Sequence, residues 1–259
     1  MTSPTDFRIH LTRFELRWLA ARVGYLQIPL LGEGTGNEMG TLQPMPTLDT
    51  IPANLQKMGL LVYRRDVGWR VNSVILVLLQ IIANPDVAVR MQIKEKSGGA
   101  KTAYAYPHPD FPLFVVAPND NLEFTFHPSI NDLFFHAWAF LDLPNNLKHN
   151  IKPTNVISSE YLARLFREFS DITVDMLNNV HPLEADAPNL ASLFQKIEYV
   201  GTISNMISAE GELSVISSCY LFWGHNIIWE GKLNLGGSAE FLPITRTAAR
   251  KMLQTTLKI

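Results

Sequence analysis

Residues 84–141 read NPDVAVRMQIKEKSGGAKTAYAYPHPDFPLFVVAPNDNLEFTFHPSINDLFFHAWAFL. After the turn-forming Asn84, Pro85 and Asp86, the apolar Val87, Val89, Met91 and Ile93 alternate with more polar neighbours. That is the period of a strand. Ser97-Gly98-Gly99 supplies a turn, and three further strand segments follow at 102–106, 113–117 and 122–126. Pro128 and Ser129 lead into 130–141, where Leu133, Phe134, Ala137, Trp138 and Leu141 recur at helical spacing. The unit is four strands and a helix.

The last third of the chain reads the same way. Strand segments fall at 197–204, 213–223, 227–235 and 239–242, the second long enough for one strand or two, and a helix at 245–257 places Ala248, Ala249, Met252 and Leu253 on one face. The closing junctions match: Phe126-His127-Pro128-Ser129 against Phe241-Leu242-Pro243-Ile244, each with proline ahead of a helix start, where its fixed angle suits the first turn and no needed amide is lost. Earlier in each half, Thr12 followed by Leu16 and Leu19 has the spacing of Ser158 followed by Leu162 and Leu165. Both hydroxyls are suited to cap a helix after a short extended run. The two cues share one offset and predict a duplicated, pseudo-twofold α+β domain over 1–259. Its first pseudo-repeat is 7–141 and its second 155–259. The stretch 142–154, rich in Pro, Asn and Lys, is the linker.

Outward from these halves, composition bounds the class. A chain of 259 residues with 47% apolar and 18% charged residues can bury a large core. A net charge of −2 argues against an overall attraction to nucleic acid or anionic membrane. Cys219 is the single cysteine, which excludes an intrachain disulfide and any multi-cysteine metal site. The opening residues carry no basic region ahead of an apolar core, and the most apolar run, 74–83, is interrupted by Gln80 and too short to cross a bilayer. The expectation is a cytoplasmic protein.

In chain order, a helix is expected at 13–25, with Phe14, Leu16, Leu19, Ala20 and Val23 available for burial. Gly32, Gly34 and Gly36 lie in a loop followed by Pro44 and Pro46, not by the helix and lysine that a phosphate site requires, so this is a surface loop. A helix over 47–58 and a hairpin at 60–72 bearing Arg64, Arg65 and Arg70 have the outline of a winged helix, which makes a DNA-binding regulator one alternative. No second basic helix stands ready to enter a groove, and 73–83 is apolar and must be buried. Residues 158–180 are amphipathic, with Tyr161, Leu162, Leu165, Phe166, Phe169, Ile172, Met176 and Leu177 forming a stripe. Another helical piece follows at 189–195.

A search for catalytic constellations finds little. Of His10, His108, His127, His136, His149, His181 and His225, none forms an HExxH pair, and His127 with His136 lacks a third ligand nearby. Cys219 and His225 form a conceivable dyad without a visible electropositive setting. There is no nucleophile elbow, EF-hand loop or Walker lysine, and pairs such as Glu184 and Asp186 lie in loops. The reading is a non-enzyme without cofactor or metal, with a motif-less enzyme as the other alternative.

The order of elements resembles the EspG family, the cytosolic chaperones of ESX type VII secretion. The resemblance rests on the strand and capped helix led by Ile9-His10-Leu11-Thr12, on the helix end Leu55-Gln56-Lys57-Met58-Gly59-Leu60-Leu61, and on the apolar helix that runs through Leu78-Leu79-Gln80-Ile81-Ile82-Ala83 into Asn84-Pro85-Asp86-Val87. It implies a central, mainly antiparallel sheet with flanking helical bundles. It also implies a chaperone or adaptor that covers the apolar tip of a helical PE-PPE-like client. By position, the family's contact loop corresponds to Glu95, Lys96, Ser97, Gly98, Gly99 and Lys101, and its helical contact region to 158–195 with Tyr161 and Phe169. The chain departs from the usual members in its many Ile, Asn and Lys residues.

Overall fold

Thr12 ends strand β1 (Phe7–Thr12) and starts helix α1 (Arg13–Val23) through a capping box. Its hydroxyl accepts from the Glu15 amide at 3.1 Å, and its own amide donates to Glu15 Oε2 at 2.8 Å. The other Glu15 oxygen accepts from Asn54 Nδ2 at 2.8 Å, so a carboxylate that is 6% exposed has partners on both oxygens. The computed structural model describes residues 7–25, 28, 30, 52–118, 120–145, 154–169, 195–209, 212–224, 227–233 and 238–258. The glycine loop at 32–46, the first part of the helix expected at 47–58, most of the linker, the helical pieces expected at 170–194 and His225 lie outside them.

Asn54 belongs to the short helix α2 (Ala53–Lys57), which precedes a separate two-stranded hairpin of β2 (Leu61–Arg64) and β3 (Gly68–Val71). Asn72 caps α3 (Ser73–Ala83), whose Ile75, Leu78, Leu79, Ile81 and Ile82 are buried. Strands β4 (Ala88–Glu95), β5 (Ala100–Tyr106), β6 (Leu113–Val116) and β7 (Asn121–Phe126) then lead to α4 (Ile130–Leu141). The described elements that follow are β8 (Thr154–Ser158), α5 (Ser159–Arg167), β9 (Tyr199–Ala209), β10 (Glu212–Gly224), β11 (Ile227–Leu233), β12 (Ser238–Pro243) and α6 (Arg246–Leu257). The segment read as one strand or two is one strand, β10, with a bulge between Val215 and Ser217.

These elements make a ten-stranded antiparallel sheet in the order β1-β7-β6-β5-β4-β9-β10-β11-β12-β8. The order has the same form from either edge: the leading strand of a half pairs with the last strand of that half. Both prolines at the junctions differ from the expected first-turn position. Pro128 stands before the cap Ser129, and Pro243 ends β12 ahead of the cap Thr245. The helices are started by hydroxyl caps, with Thr245 accepting from the Ala248 amide at 3.1 Å.

Strand alternation sends side chains to two faces of different character. On one, Val89, Met91, Ile93, Phe114, Ile203, Leu221 and Trp223 form a single apolar layer with α4 and α6, which contribute Leu133, Ala137, Leu141, Ala249, Leu253 and Leu257. Arg250 lies over Phe134 and Phe135, and Arg246 over Trp138, which ties the helix pair together. On the opposite face lie two apolar clusters. One holds α1, Leu55 and α3 against Tyr104, Tyr106, Val115, Phe124 and Met206; the other holds Leu162, Leu165 and Phe169 against Val200, Phe222, Trp229 and Phe241.

Gly201 on β9 is what lets the sealed face close at the sheet centre. A Cβ there would meet the Trp223 ring at 2.9 Å and the Gln92 carbonyl at 3.1 Å, while the ring stacks on Tyr199 with centroids 5.6 Å apart. Replacement by alanine forces either the ring or the β4 backbone to move. Gly201→Ala is expected to cost roughly 1–3 kcal/mol in denaturant unfolding, the usual range for overpacking.

Candidate functional site

The face with two clusters has a polar lane between them. On β4, Arg90, Gln92 and Lys94 alternate with the buried Val89, Met91 and Ile93. Register carries the lane across neighbouring strands: Arg90 lies opposite Tyr104 and Ser204, and Gln92 opposite Thr102 and Thr202. Ser204 in turn lies opposite Ser218, and Thr202 opposite Tyr220. The Ser204 and Ser218 hydroxyls are 2.8 Å apart. Thr202 is 4% exposed, and its hydroxyl finds no partner among the described residues. A buried hydroxyl without a partner costs about 1–3 kcal/mol.

Arg90 and Lys94 are the charged groups at these register positions, so the lane is cationic and otherwise neutral. Lys94 also locks the lane to the second cluster. Its Nζ donates to the Arg167 carbonyl at 2.9 Å and sits 5.0 Å from the Phe166 ring centroid. Partial burial pushes its pKa down.

Just beyond Lys94, the hairpin residues predicted from sequence come together in one tight turn. The Glu95 amide donates to the Gly99 carbonyl at 2.7 Å, the Gly98 amide to the Glu95 carbonyl at 2.9 Å, and Ser97 Oγ to Glu95 Oε2 at 3.2 Å. Lys101 pairs with Glu95 at 3.3 Å, and the Lys96 amide donates to the Glu198 carbonyl at 2.9 Å. Gly98 has φ +95, a left-handed conformation that side chains resist. Lys96, Ser97, Gly98, Gly99 and Lys101 are exposed, and Glu95 is half-buried. Tyr161 lies in α5. Phe169 is 2% exposed inside the second cluster, so its ring builds the wall of the site from within.

Sequence reasoning missed the lane itself. The alternation of Arg90, Gln92 and Lys94 was visible, but their polar neighbours come from β9 and β10, and only the register reveals that they meet.

The other candidates are placed as follows. His136 Nδ1 lies 3.0 Å from His127 Nε2, with the rings near perpendicular at 87° and His136 against Phe114. One imidazole donates and the other accepts. Among the described residues no group of three His, Cys, Asp or Glu side chains is placed to hold a metal ion. Burial, and then the nearby Glu230, push the Cys219 thiol far above its ordinary range, which disfavours a thiolate. Of the winged-helix outline, the hairpin is present with Arg64, Arg65 and Arg70 exposed. The described part of the helix before it is five residues, and the helix after it is packed into the first cluster. No described helix is long and apolar enough to cross a membrane.

The sequence matches no protein-family model and no curated protein. The structure is similar to that of the Mycobacterium tuberculosis type VII secretion system chaperone EspG5, solved in complex with a PE25-PPE41 dimer. The TM-score is 0.57 at 13% identity, over 97% of this chain and 95% of that one. What the two share is the α+β fold with its large antiparallel sheet.

Glu230, on β11 opposite Leu221 and Leu242, provides a check on the sealed side of the sheet. Burial raises its pKa above the ordinary 4.5, and Lys232 offsets part of the rise. The folded state therefore keeps this proton to higher pH than the unfolded chain does, and stability falls as pH climbs from about 4.5 through the raised value. Glu230→Gln is expected to melt higher than the parent near neutral pH and to lose that advantage below pH 4.5, as followed by thermal denaturation across a pH series.

Proposed function

We propose that this protein is a cytoplasmic chaperone or adaptor of the type VII secretion kind. It holds a helical, PE-PPE-like client on the sheet face that bears the polar lane and on the adjoining hairpin at 95–101. The observation that carries the reading is the fold shared along the whole chain with a chaperone solved on a PE25-PPE41 dimer. The site chemistry agrees. A helical tip presents apolar side chains and unpaired helix-end carbonyls together. The lane supplies the part-buried amide of Gln92, the hydroxyl of Thr102 and the positive charge of Arg90 between two apolar beds, and the rigid hairpin adds exposed lysines at its rim.

The same proposal includes the internal symmetry. We read 7–141 and 155–259 as two related halves of one domain joined at 142–154. Support comes from the strand order, which has the same form from both edges, and from the matching strand-helix starts at Thr12 and Ser158. Client binding then uses the face on which the halves differ most: three helices cover the first half, and α5 is the described cover of the second.

The test is co-purification of the tagged protein from its native cells, with mass spectrometry of what remains bound at moderate salt. A helical secreted protein in stoichiometric amount is the expected result. Arg90→Glu and the pair Lys96→Glu, Lys101→Glu are each expected to lower its recovery at least about tenfold, the effect of losing roughly 1.4 kcal/mol or more. Recovery of no such protein from cells that express secreted helical substrates would falsify the reading.

A further inference from the structure

The hairpin of β2 and β3 forms a sheet of its own, and its two faces differ. One is turned to the core: Leu61 is buried, and Trp69 and Val71 pack against the first cluster. The Asn72 amide closes the base by donating to the Leu60 carbonyl at 2.9 Å. On the other face Val62 lies opposite Arg70 and Arg64 opposite Gly68, so strand alternation puts both arginines on the side away from the core. Arg65 and Val67 stand in the turn between the strands. Arg64, Arg65 and Arg70 are exposed, and none forms an ion pair among the described residues. Asp66 is the single acid within 61–71. Among these charges Val62, Tyr63 and Val67 are 46%, 57% and 45% exposed.

We propose that this hairpin docks the protein reversibly on the surface of an anionic lipid bilayer. The chain carries a net charge of −2, so the attraction is local. At physiological salt it acts over a Debye length of about 8 Å. Three arginines against one aspartate complement acidic headgroups, while the exposed valines and tyrosine enter the headgroup boundary, where amphipathic surfaces bury apolar side chains. That mixture selects a bilayer over nucleic acid. Duplex phosphates would meet the arginines and leave Val62 and Val67 in water, and neither flanking helix is free to enter a groove, since α2 is five residues and α3 is packed into the core. A peptide is held in a groove or along a sheet edge. Here the outer face is open: a Cβ added at Gly68, opposite Arg64, meets nothing within 4 Å.

The experiment is flotation of the full chain with vesicles of phosphatidylcholine alone, and with vesicles of equal parts phosphatidylcholine and phosphatidylglycerol, at low and physiological salt. The parent is expected to float with the anionic vesicles, less so as salt rises, and to stay in solution with the neutral ones. The pair Arg64→Gln, Arg70→Gln is expected to lower its partition onto anionic vesicles at least about tenfold, the combined effect of two surface charges. The pair Val62→Ser, Val67→Ser keeps every arginine and is expected to weaken binding as well, an effect that phosphate contact alone does not produce. Lys251→Gln, an exposed change on α6 across the sheet, is expected to bind as the parent does. All of these positions are exposed, and unchanged circular dichroism confirms the fold. No binding to anionic vesicles at physiological salt, equal binding to neutral vesicles, an arginine pair variant that binds like the parent, or a serine pair variant that does so would each overturn the proposal.

Discussion

The antiparallel ladder between β4 and β9, running from Ala88 opposite Met206 to Glu95 opposite Tyr199, is the contact on which the rest depends. Among the described residues it is the strand pairing that joins 7–141 to 154–258; every other sheet pairing lies within one half. Its geometry is set by a requirement with little tolerance. The Trp223 ring must cross β9 at a residue without a side chain, and Gly201 is that residue. With the ring in place, Tyr199, Trp223, Ile203 and Ile93 make a continuous apolar layer for α4 and α6 to seal. Burial of this kind is the main favourable term in folding, at roughly 25 cal/mol per Å2 of apolar surface removed from water. A ladder slipped by one residue would send that whole layer to the other face.

The same ladder fixes the polar lane. Because strand side chains alternate, placing Val89, Met91 and Ile93 inward on the sealed face obliges Arg90, Gln92 and Lys94 to share the other face with Thr202 and Ser204. Polar groups removed from water need partners, and along the lane Ser204 and Ser218 pair with each other while the Thr202 hydroxyl finds none among the described residues. Local departures from the best-folding sequence concentrate where a protein binds or reacts. Here the polar positions span four adjacent strands and end at a hairpin braced by Glu95.

How much of this was legible in the sequence follows from the range of each interaction. The strands and helix of 84–141 were visible to within a few residues, because a period of two or 3.6 is a local property. The caps at Thr12, Ser129 and Thr245 lie at residues whose side chains announce them. The prolines were misread in position, because Pro128 and Pro243 restrict the chain before the cap as readily as they start a first turn. The lane was not legible at all. Arg90 and Ser204 are opposed only once β4 finds β9, and no local pattern reports the register of two strands so far apart in the chain. The burial of Phe169 has the same origin: its place in a helical stripe says that it faces something, and only the sheet behind α5 decides that this is the core.

The ladder also explains why the two hairpins that flank it have opposite character. The β4–β5 hairpin turns back where β9 begins, and its turn is closed by backbone bonds, by the Glu95–Lys101 pair and by a bond to Glu198. Few edge groups there lack a partner. The β9–β10 hairpin extends at the other end of the sheet, beyond Ala88, which is opposite Met206. There β10 starts at Glu212 and exposes Ser214, Val215, Ile216 and Ser217. One hairpin is braced by the strand beside it, and the other, past Met206, is held among the described residues by its own two strands, so the two ends of the ladder set how firmly each turn is tied to the sheet.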